Sequence, residues 1–197
     1  MSYTPLPNDE LAAVVTYLEM RAPPDLDVPP SALSLKRLET PDPGPYRDLF
    51  RLVGAPWLWF SRLMMDDPTL AAIIQHEAVE LYAVVDGTGR TIGMLELDFR
   101  EAGECELGFI GLVPELSGKG HGRWLLAKAV RRAWSREGVT RVHVHTCSLD
   151  HPAALSAYLR AGFAAYKRAI ERFPDPRLLG VLPKDCAPQI PLLGTPG

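Results

Sequence analysis

The spacing of apolar residues along the chain predicts both strands and helices. Short runs of alternating or continuous apolar residues predict strands at residues 32–38, 79–85, 91–99, 104–113, 141–147 and 163–173. Residues 11–20 are apolar and rich in β-branched side chains, and they fit either a strand or a short helix. Helical spacing predicts helices at residues 45–52 and 67–74, from the glycine-rich segment at 118–122 to about residue 136, and from residue 150 to Gly162.

Length and proline placement predict a single domain. The chain has 197 residues, of which 47% are hydrophobic, and this is enough to bury one sizeable core. Prolines cluster at residues 22–30, at 41–45 and near the C-terminus, where they mark loops. We therefore expect one domain over residues 1–183, in which residues 1–31 form an N-terminal extension. Residues 184–197 are expected to form a mobile tail.

Charge and targeting signals narrow the range of functions. A formal charge of −3 provides no basic surface for nucleic acid. No apolar run has the length of a membrane span, and the first ten residues, MSYTPLPNDE, lack the basic and apolar regions of a signal peptide. Cys105, Cys147 and Cys186 are too few and too scattered for a disulfide framework. These features predict a cytoplasmic protein without nucleic-acid or membrane partners.

A glycine-rich loop between a strand and a helix is the clearest candidate binding site. Residues 108–126 read GFIGLVPELSGKGHGRWLL: an apolar run ends at Pro114, glycines follow at 118, 120 and 122, and helical spacing then begins. Glycines allow the backbone to approach a ligand, and the unpaired N–H groups of a first helical turn attract an anion. Two better-known phosphate loops do not match this segment. A Walker loop would need Lys followed by Ser or Thr after the last glycine, and a dinucleotide-binding fingerprint would need glycine where Arg123 stands.

Two motifs in this order resemble the GCN5-related N-acetyltransferases, the GNAT family. The segment Ser117-Gly118-Lys119-Gly120-His121-Gly122 resembles the family's acyl-CoA loop, with Ser117 where Arg or Gln is usual. About thirty residues later, the family's helix pattern is matched by His151, Ala154, Tyr158, Gly162 and Phe163, with His151 where Asn is usual. The resemblance covers residues 75–173 well and the N-terminal third only loosely.

The resemblance implies a fold and a reaction. The implied fold is α/β: a mixed, mainly antiparallel central sheet, flanked by helices, in which two adjacent strands splay apart. The implied cosubstrate is acetyl-CoA, whose acetyl group moves to a primary amine by direct attack in a ternary complex, and we expect a small-molecule acceptor. A catalytically idle acyl-CoA-binding sensor or interaction module on the same fold is the alternative. The sequence leaves open whether the protein is a homodimer.

Acyl transfer to an amine needs a base and an acid. Glu106 is the candidate base, because it lies on a strand eleven residues before Ser117, as in family members with a strand-borne glutamate. Glu104 projects from the same strand face and stays open as the alternative base. Tyr158, in register with Gly162 and Phe163, is the candidate acid for the departing thiolate.

The resemblance also implies the residues that contact acetyl-CoA. The N–H of Ile110 is expected to stabilise the oxyanion, and Ile110 and Leu112 are expected to pair with the pantetheine amides. The full set of predicted cofactor contacts is Ile110, Leu112, Val113, Gly118, Lys119, Gly120, His121, Gly122 and Arg123.

The acceptor pocket is expected beside residues 57–62. A single segment cannot turn Trp57, Leu58, Trp59 and Phe60 all into the core, so Trp57 and Trp59 are predicted to line a cleft. Arg62 is predicted to bind an acceptor carboxylate and to repel polyamines, which favours a small aromatic or amphipathic amine.

Two further features are interpreted as structural. His143, His145 and Cys147 share a strand face, but no second pair of ligands accompanies them, and we therefore predict no metal site. Asp150 is interpreted as the cap of the helix that follows it.

Overall fold

A computed structural model describes residues 3–194, which form a seven-stranded sheet with helices on both faces. The strands are β1 (Glu10–Met20), β2 (Ser34–Arg37), β3 (Val79–Val85), β4 (Thr91–Asp98), β5 (Glu104–Leu112), β6 (Arg141–Cys147) and β7 (Ala164–Pro174). Their order across the sheet is β2-β3-β4-β5-β6-β1-β7, and only β5 and β6 pair in parallel. The predicted mixed, mainly antiparallel sheet is confirmed.

The first strand lies inside the sheet rather than at its edge. β1 pairs antiparallel with β6 on one side and with β7 on the other. Val15, Leu18 and Met20 on β1 are buried, and their burial favours a strand over the short helix that the sequence also allowed. Part of the predicted N-terminal extension is therefore an integral element of the domain.

Two apolar layers cover the two faces of the sheet. The helices are α1 (Pro43–Gly54), α2 (Asp67–Ile74), α3 (His121–Trp134) and α4 (Ala154–Arg160). On one face α3 buries Trp124, Leu125 and Ala129 in the larger core, whereas on the other α1 buries Tyr46 and Phe50. None of the helices within residues 3–194 combines the length and the hydropathy needed to cross a lipid bilayer.

β5 and β6 separate after a short parallel contact. Their pairing is limited to three positions, from Glu104 opposite Arg141 to Glu106 opposite His143. Beyond Glu106 the two strands are no longer paired, so they leave a gap between them. On its other side β5 follows β4, with a bulge at Gly108 that shifts the register between Leu97–Leu107 and Glu96–Phe109.

The C-terminal segment packs back onto the domain. Leu182 and Ala187 are buried together with Leu58, and the Gln189 side chain donates a hydrogen bond of 2.7 Å to the Pro56 carbonyl. Arg177, 2% exposed, donates to the Ile190 carbonyl at 2.8 Å. These contacts tie residues up to 190 to the loop after α1, which differs from the mobile tail expected from residue 184 onward.

Candidate active site

The gap between β5 and β6 opens into the main cleft of the domain. The cleft has a volume of about 1150 Å³ and is bounded by β5, the first turn of α3, α4 and the loop at residues 57–65. This cleft contains Glu106, Tyr158, Trp57, Trp59 and Arg62, which the sequence had placed in the catalytic and acceptor sites.

The backbone of β5 presents hydrogen-bond donors to the gap. The Val113 N–H donates to the Ile92 carbonyl at 2.9 Å, on the side of β4. Because N–H groups alternate in direction along a strand, those of Ile110 and Leu112 point away from β4 and into the gap. Val113 has its N–H occupied and its side chain 5% exposed, so neither of these groups is available to the cofactor.

The glycine loop leaves several backbone donors free. Gly118 and Gly120 have φ values of 76° and 81°, in the left-handed region that favours glycine. Gly120 is the N-cap of α3. Within residues 3–194, the N–H groups of Gly118, Gly120, His121 and Gly122 form no intramolecular hydrogen bond. Together with the helix dipole, these donors make the loop suitable for a phosphate group.

The residues of this loop differ in whether they line the cleft. Gly118, Gly120, Gly122 and Arg123 line the cleft, whereas Lys119 and His121 do not. Lys119 is exposed beside the loop, and His121 Nδ1 lies 3.0 Å from the Ser31 hydroxyl. The predicted contacts of Lys119 and His121 therefore depend on the backbone of the loop.

The structure separates the two candidate bases. Glu106 lines the cleft and lies 3.3 Å from His145 Nδ1. A hydrogen bond from His145 lowers the pKa of Glu106, an effect that burial partly offsets, so the carboxylate is ionised at neutral pH. Glu104 lies outside the cleft lining, and Arg141 Nη1 approaches it to 2.6 Å. Glu104 is therefore occupied by an arginine, whereas Glu106 faces the cleft.

Tyr158 also lines the cleft, from α4. Its ring packs edge-on against Phe163, with centroids 5.7 Å apart. Burial raises the pKa of the hydroxyl, and the negative charge of Asp150 raises it further. Tyr158 therefore keeps its proton throughout the neutral range and is suited to donate it.

The cleft also contains one thiol, that of Cys147 at the end of β6. Burial raises the pKa of Cys147 to about 11, and the Asp150 carboxylate contributes to the rise. A thiol in this state is a poor nucleophile near pH 7, which argues against an acyl-cysteine intermediate.

Trp59 is fixed by close packing and by one carboxylate. A side chain at Gly54 or Gly111 would collide with existing groups, since a Cβ at Gly54 would lie 2.5 Å from the Trp59 ring and one at Gly111 would lie 2.6 Å from Val53. Trp59 Nε1 donates to Asp150 Oδ1 at 3.1 Å.

Asp150 has a different role from the one predicted. Its second oxygen accepts from the Thr146 hydroxyl and the Cys147 N–H, both at 2.8 Å. Helix α4 begins only at Ala154 and has no side-chain cap. The helix-capping interpretation of Asp150 is therefore wrong. The carboxylate instead connects the end of β6 to Trp59.

Arg62 is paired within the protein. Its guanidinium lies 2.6 Å from Glu96, whose side chain is 0% exposed, and the Tyr46 hydroxyl donates to the same carboxylate at 2.7 Å. Because its charge is neutralised, Arg62 does not present the free guanidinium expected for an acceptor carboxylate. That prediction is wrong, and so is the argument that Arg62 would repel polyamines.

Several cleft residues were missed by sequence reasoning. They are Glu96, His145, Asp150, Glu171 and Phe173, which come from four different elements or loops. The alternation of β6 placed His145 on the correct face, but nothing local to the sequence paired that face with Glu106. Within residues 3–194, no group of three or more His, Cys, Asp or Glu side chains is arranged to hold a metal ion.

Comparison with a family model identifies the class of protein. The acetyltransferase (GNAT) family model matches residues 46–163, more than half of the chain. The chain therefore belongs to the GNAT acetyltransferase family. A search of curated proteins found no match to its sequence.

Solved structures support the same fold. A GCN5-related N-acetyltransferase from Sphaerobacter thermophilus is 19% identical with a TM-score of 0.54, over 82% of this chain and 51% of that one. A GNAT-family acetyltransferase from Novosphingobium aromaticivorans is 17% identical with a TM-score of 0.56, over 86% and 68%. Mutant forms of a spermidine/spermine N-acetyltransferase from Vibrio cholerae are 20% identical with a TM-score of 0.53, over 76% and 97%. The chain spans about half the length of the Sphaerobacter protein.

Proposed function

We propose that this protein is an acetyl-CoA-dependent N-acetyltransferase that acts by direct transfer in a ternary complex. The observation that carries the proposal is that Glu106 and Tyr158 line the same cleft, which the inward-facing N–H groups of β5 also border. An idle acyl-CoA-binding module would need the loop but neither of these side chains. The raised pKa of Cys147 favours direct attack over a covalent enzyme intermediate.

The residues present fit acetyl-CoA. The free N–H groups of Gly118, Gly120, His121 and Gly122 would hold its pyrophosphate, and the N–H groups of Ile110 and Leu112 would hold the pantetheine arm. Acetyl-CoA supplies the activated acetyl group as a thioester. The chain contributes binding and orientation along the open edge of β5.

The side chains of the cleft supply the proton transfers. Glu106 accepts a proton from the ammonium form of the acceptor, which leaves a neutral amine able to attack the thioester carbonyl. The Ile110 N–H stabilises the negative charge that develops on the carbonyl oxygen. Tyr158 would donate its proton to the sulfur as the carbon–sulfur bond breaks, and the second proton lost by the acetylated nitrogen would restore the Tyr158 hydroxyl.

The acceptor end of the cleft is aromatic and acidic. Phe60 and Phe173 pack 4.9 Å apart, and Trp57 also lines the cleft. Glu171 on β7 also lines the cleft, and within residues 3–194 it has no ion-pair partner. An aromatic wall combined with a free carboxylate favours a small-molecule primary amine with an apolar portion and a second positive charge. The likeness to a spermidine/spermine N-acetyltransferase makes polyamines reasonable members of a test panel.

A panel of amines tests this proposal. Aromatic monoamines, polyamines and aminoglycosides would each be incubated with acetyl-CoA while release of free CoA is followed. We expect turnover with at least one amine and its loss in Glu106→Gln. Tight acetyl-CoA binding without turnover of any amine would instead favour the idle binding module.

A further inference from the structure

The contact between Glu106 and His145 suggests a second step for the proton. His145 Nδ1 lies 3.3 Å from Glu106 Oε1, and both side chains line the cleft. Within residues 3–194, no other side chain donates a hydrogen bond to the Glu106 carboxylate, so its second oxygen can receive an amine. The His145 side chain is 50% exposed, so the imidazole can exchange protons with solvent.

The neighbouring pair on the same strands provides a contrast. Glu104 and His143 lie two residues earlier on β5 and β6, and the histidine Nε2 is 3.5 Å from the Glu104 carboxylate. There, Arg141 also occupies Glu104 at 2.6 Å. A permanent cation beside Glu104 prevents it from acting as a base, and neither member of this pair lines the cleft. Of these two pairs, the Glu106–His145 pair is the one that lines the cleft, and its histidine is half exposed.

We propose that His145 relays the proton that Glu106 takes from the acceptor amine. The proposal rests on the proposed acetyl transfer and deepens it. The amine nitrogen loses a proton to Glu106, which becomes a carboxylic acid. Neutral His145, in the tautomer that carries its proton on Nε2, then accepts that proton on Nδ1, and the imidazolium releases its Nε2 proton to water. Proton exchange with water then returns the ring from the Nδ1–H to the Nε2–H tautomer, which restores both groups.

The relay predicts a specific pH dependence. The hydrogen bond that protonated His145 donates to Glu106 raises the pKa of His145 above the usual value of about 6.5, and burial opposes the rise. The charged and titratable groups around His145 come from β5, β6, β1, β7 and the loop after β6: Glu106, His143, Tyr17, Glu171 and Asp150. The relay needs neutral His145, so kcat should fall as the pH drops through this raised pKa, which belongs to the coupled pair.

The test compares His145→Gln with His143→Gln as the matched control. With both substrates saturating, we expect His145→Gln to lower kcat at pH 7 by roughly 10- to 100-fold, within the usual contribution of a proton-transfer group. The acidic limb of the kcat profile should move to lower pH, because Glu106 then acts directly as the base. His143→Gln should change neither the plateau nor the limb.

A second measurement does not depend on turnover. NMR titration of ¹⁵N-labelled imidazoles should give His145 a higher pKa than His143, and Glu106→Gln should lower the His145 pKa. An active His145→Gln enzyme with an unchanged acidic limb would overturn the relay and leave the acetyl transfer standing. A wild-type protein that acetylates no amine, despite the expected NMR titration, would overturn the proposed function and the relay with it.

Discussion

Ser117 Oγ and His151 Nε2 lie 3.4 Å apart, and they are the two positions at which the chain differs from the acyl-CoA motifs that it resembles. His151 Nδ1 accepts a hydrogen bond from the Ala153 N–H at 3.1 Å, so neutral His151 carries its proton on Nε2 and donates to Ser117. The ring also meets Trp57 edge-on at 5.0 Å. The contact connects the loop before α3 with the loop before α4, across the cleft.

Because Ser117 and His151 contact each other, neither departure from the family motif should by itself weaken the binding of acetyl-CoA to the loop. We predict that Ser117→Ala changes the Kd for acetyl-CoA by no more than about 10-fold, since one hydrogen bond contributes about 0.5–1.5 kcal/mol and the phosphate donors are backbone groups. Calorimetric titration measures this. A much larger loss would show that the serine side chain itself binds the cosubstrate.

Gly122 allows a clean test of the loop. Its φ lies outside the left-handed region, and an added Cβ would meet nothing within 4 Å, so Gly122→Val should fold normally. The new side chain would occupy the space in front of the free N–H groups, and acetyl-CoA binding should be lost. Gly87→Val, in an open turn far from the cleft, is the control. Gly120→Val is less informative because its φ of 81° makes any side chain strained.

The two glutamates on β5 should respond differently to loss of charge. Glu106→Gln should lower kcat by roughly 10²- to 10⁴-fold, the usual contribution of a positioned base. Its acetyl-CoA affinity should hardly change, because the carboxylate acts on the amine. Glu104→Gln removes a contact with Arg141 outside the cleft and should leave kcat nearly unchanged. Steady-state kinetics decide between them, and a reversed pattern would assign the base to Glu104.

The Arg62–Glu96 pair should contribute to stability. Arg62→Ala would leave the Glu96 carboxylate buried without its cation, and we expect the free energy of unfolding to fall by about 3–5 kcal/mol. Arg100→Ala removes a more exposed partner of Asp98 and should cost less than about 1 kcal/mol. Denaturant unfolding compares the two variants. If Arg62→Ala kept full stability and only raised the KM for the acceptor, the substrate-binding interpretation would be restored.

How far the sequence predicted this molecule depends on the range of the interactions involved. The alternation in β3–β6 and the helical spacing after Gly122 are local patterns. These four strands and helix α3 lie close to the residues that the patterns predicted. The glycine loop, too, is defined by adjacent residues. By contrast, the insertion of β1 between β6 and β7 depends on pairings up to about 160 residues apart, which no local pattern encodes.

The same distinction explains the errors in the site. Arg62 and Glu96 are 34 residues apart in the chain, and Trp59 and Asp150 are 91 apart. A cation next to an aromatic cluster looks available for a substrate until its buried partner is known. The sequence therefore identified several side chains that reach the cleft, but it could not tell which of them are already paired with another residue.

Glu171 provides the most direct test of the acceptor class. The side chain lines the cleft from β7 and is exposed, so replacing it should not disturb the fold. If the acceptor carries a second positive charge, Glu171→Gln should raise the KM for spermidine by roughly 2- to 5-fold, the effect of losing an exposed ion pair. The KM for an aromatic monoamine should stay constant, because that substrate has no second charge to lose. Glu137→Gln, which changes an exposed carboxylate outside the cleft, is the matched control. Equal changes for both amines would mean that Glu171 acts through the general potential of the cleft, and no change for either would remove it from the acceptor site.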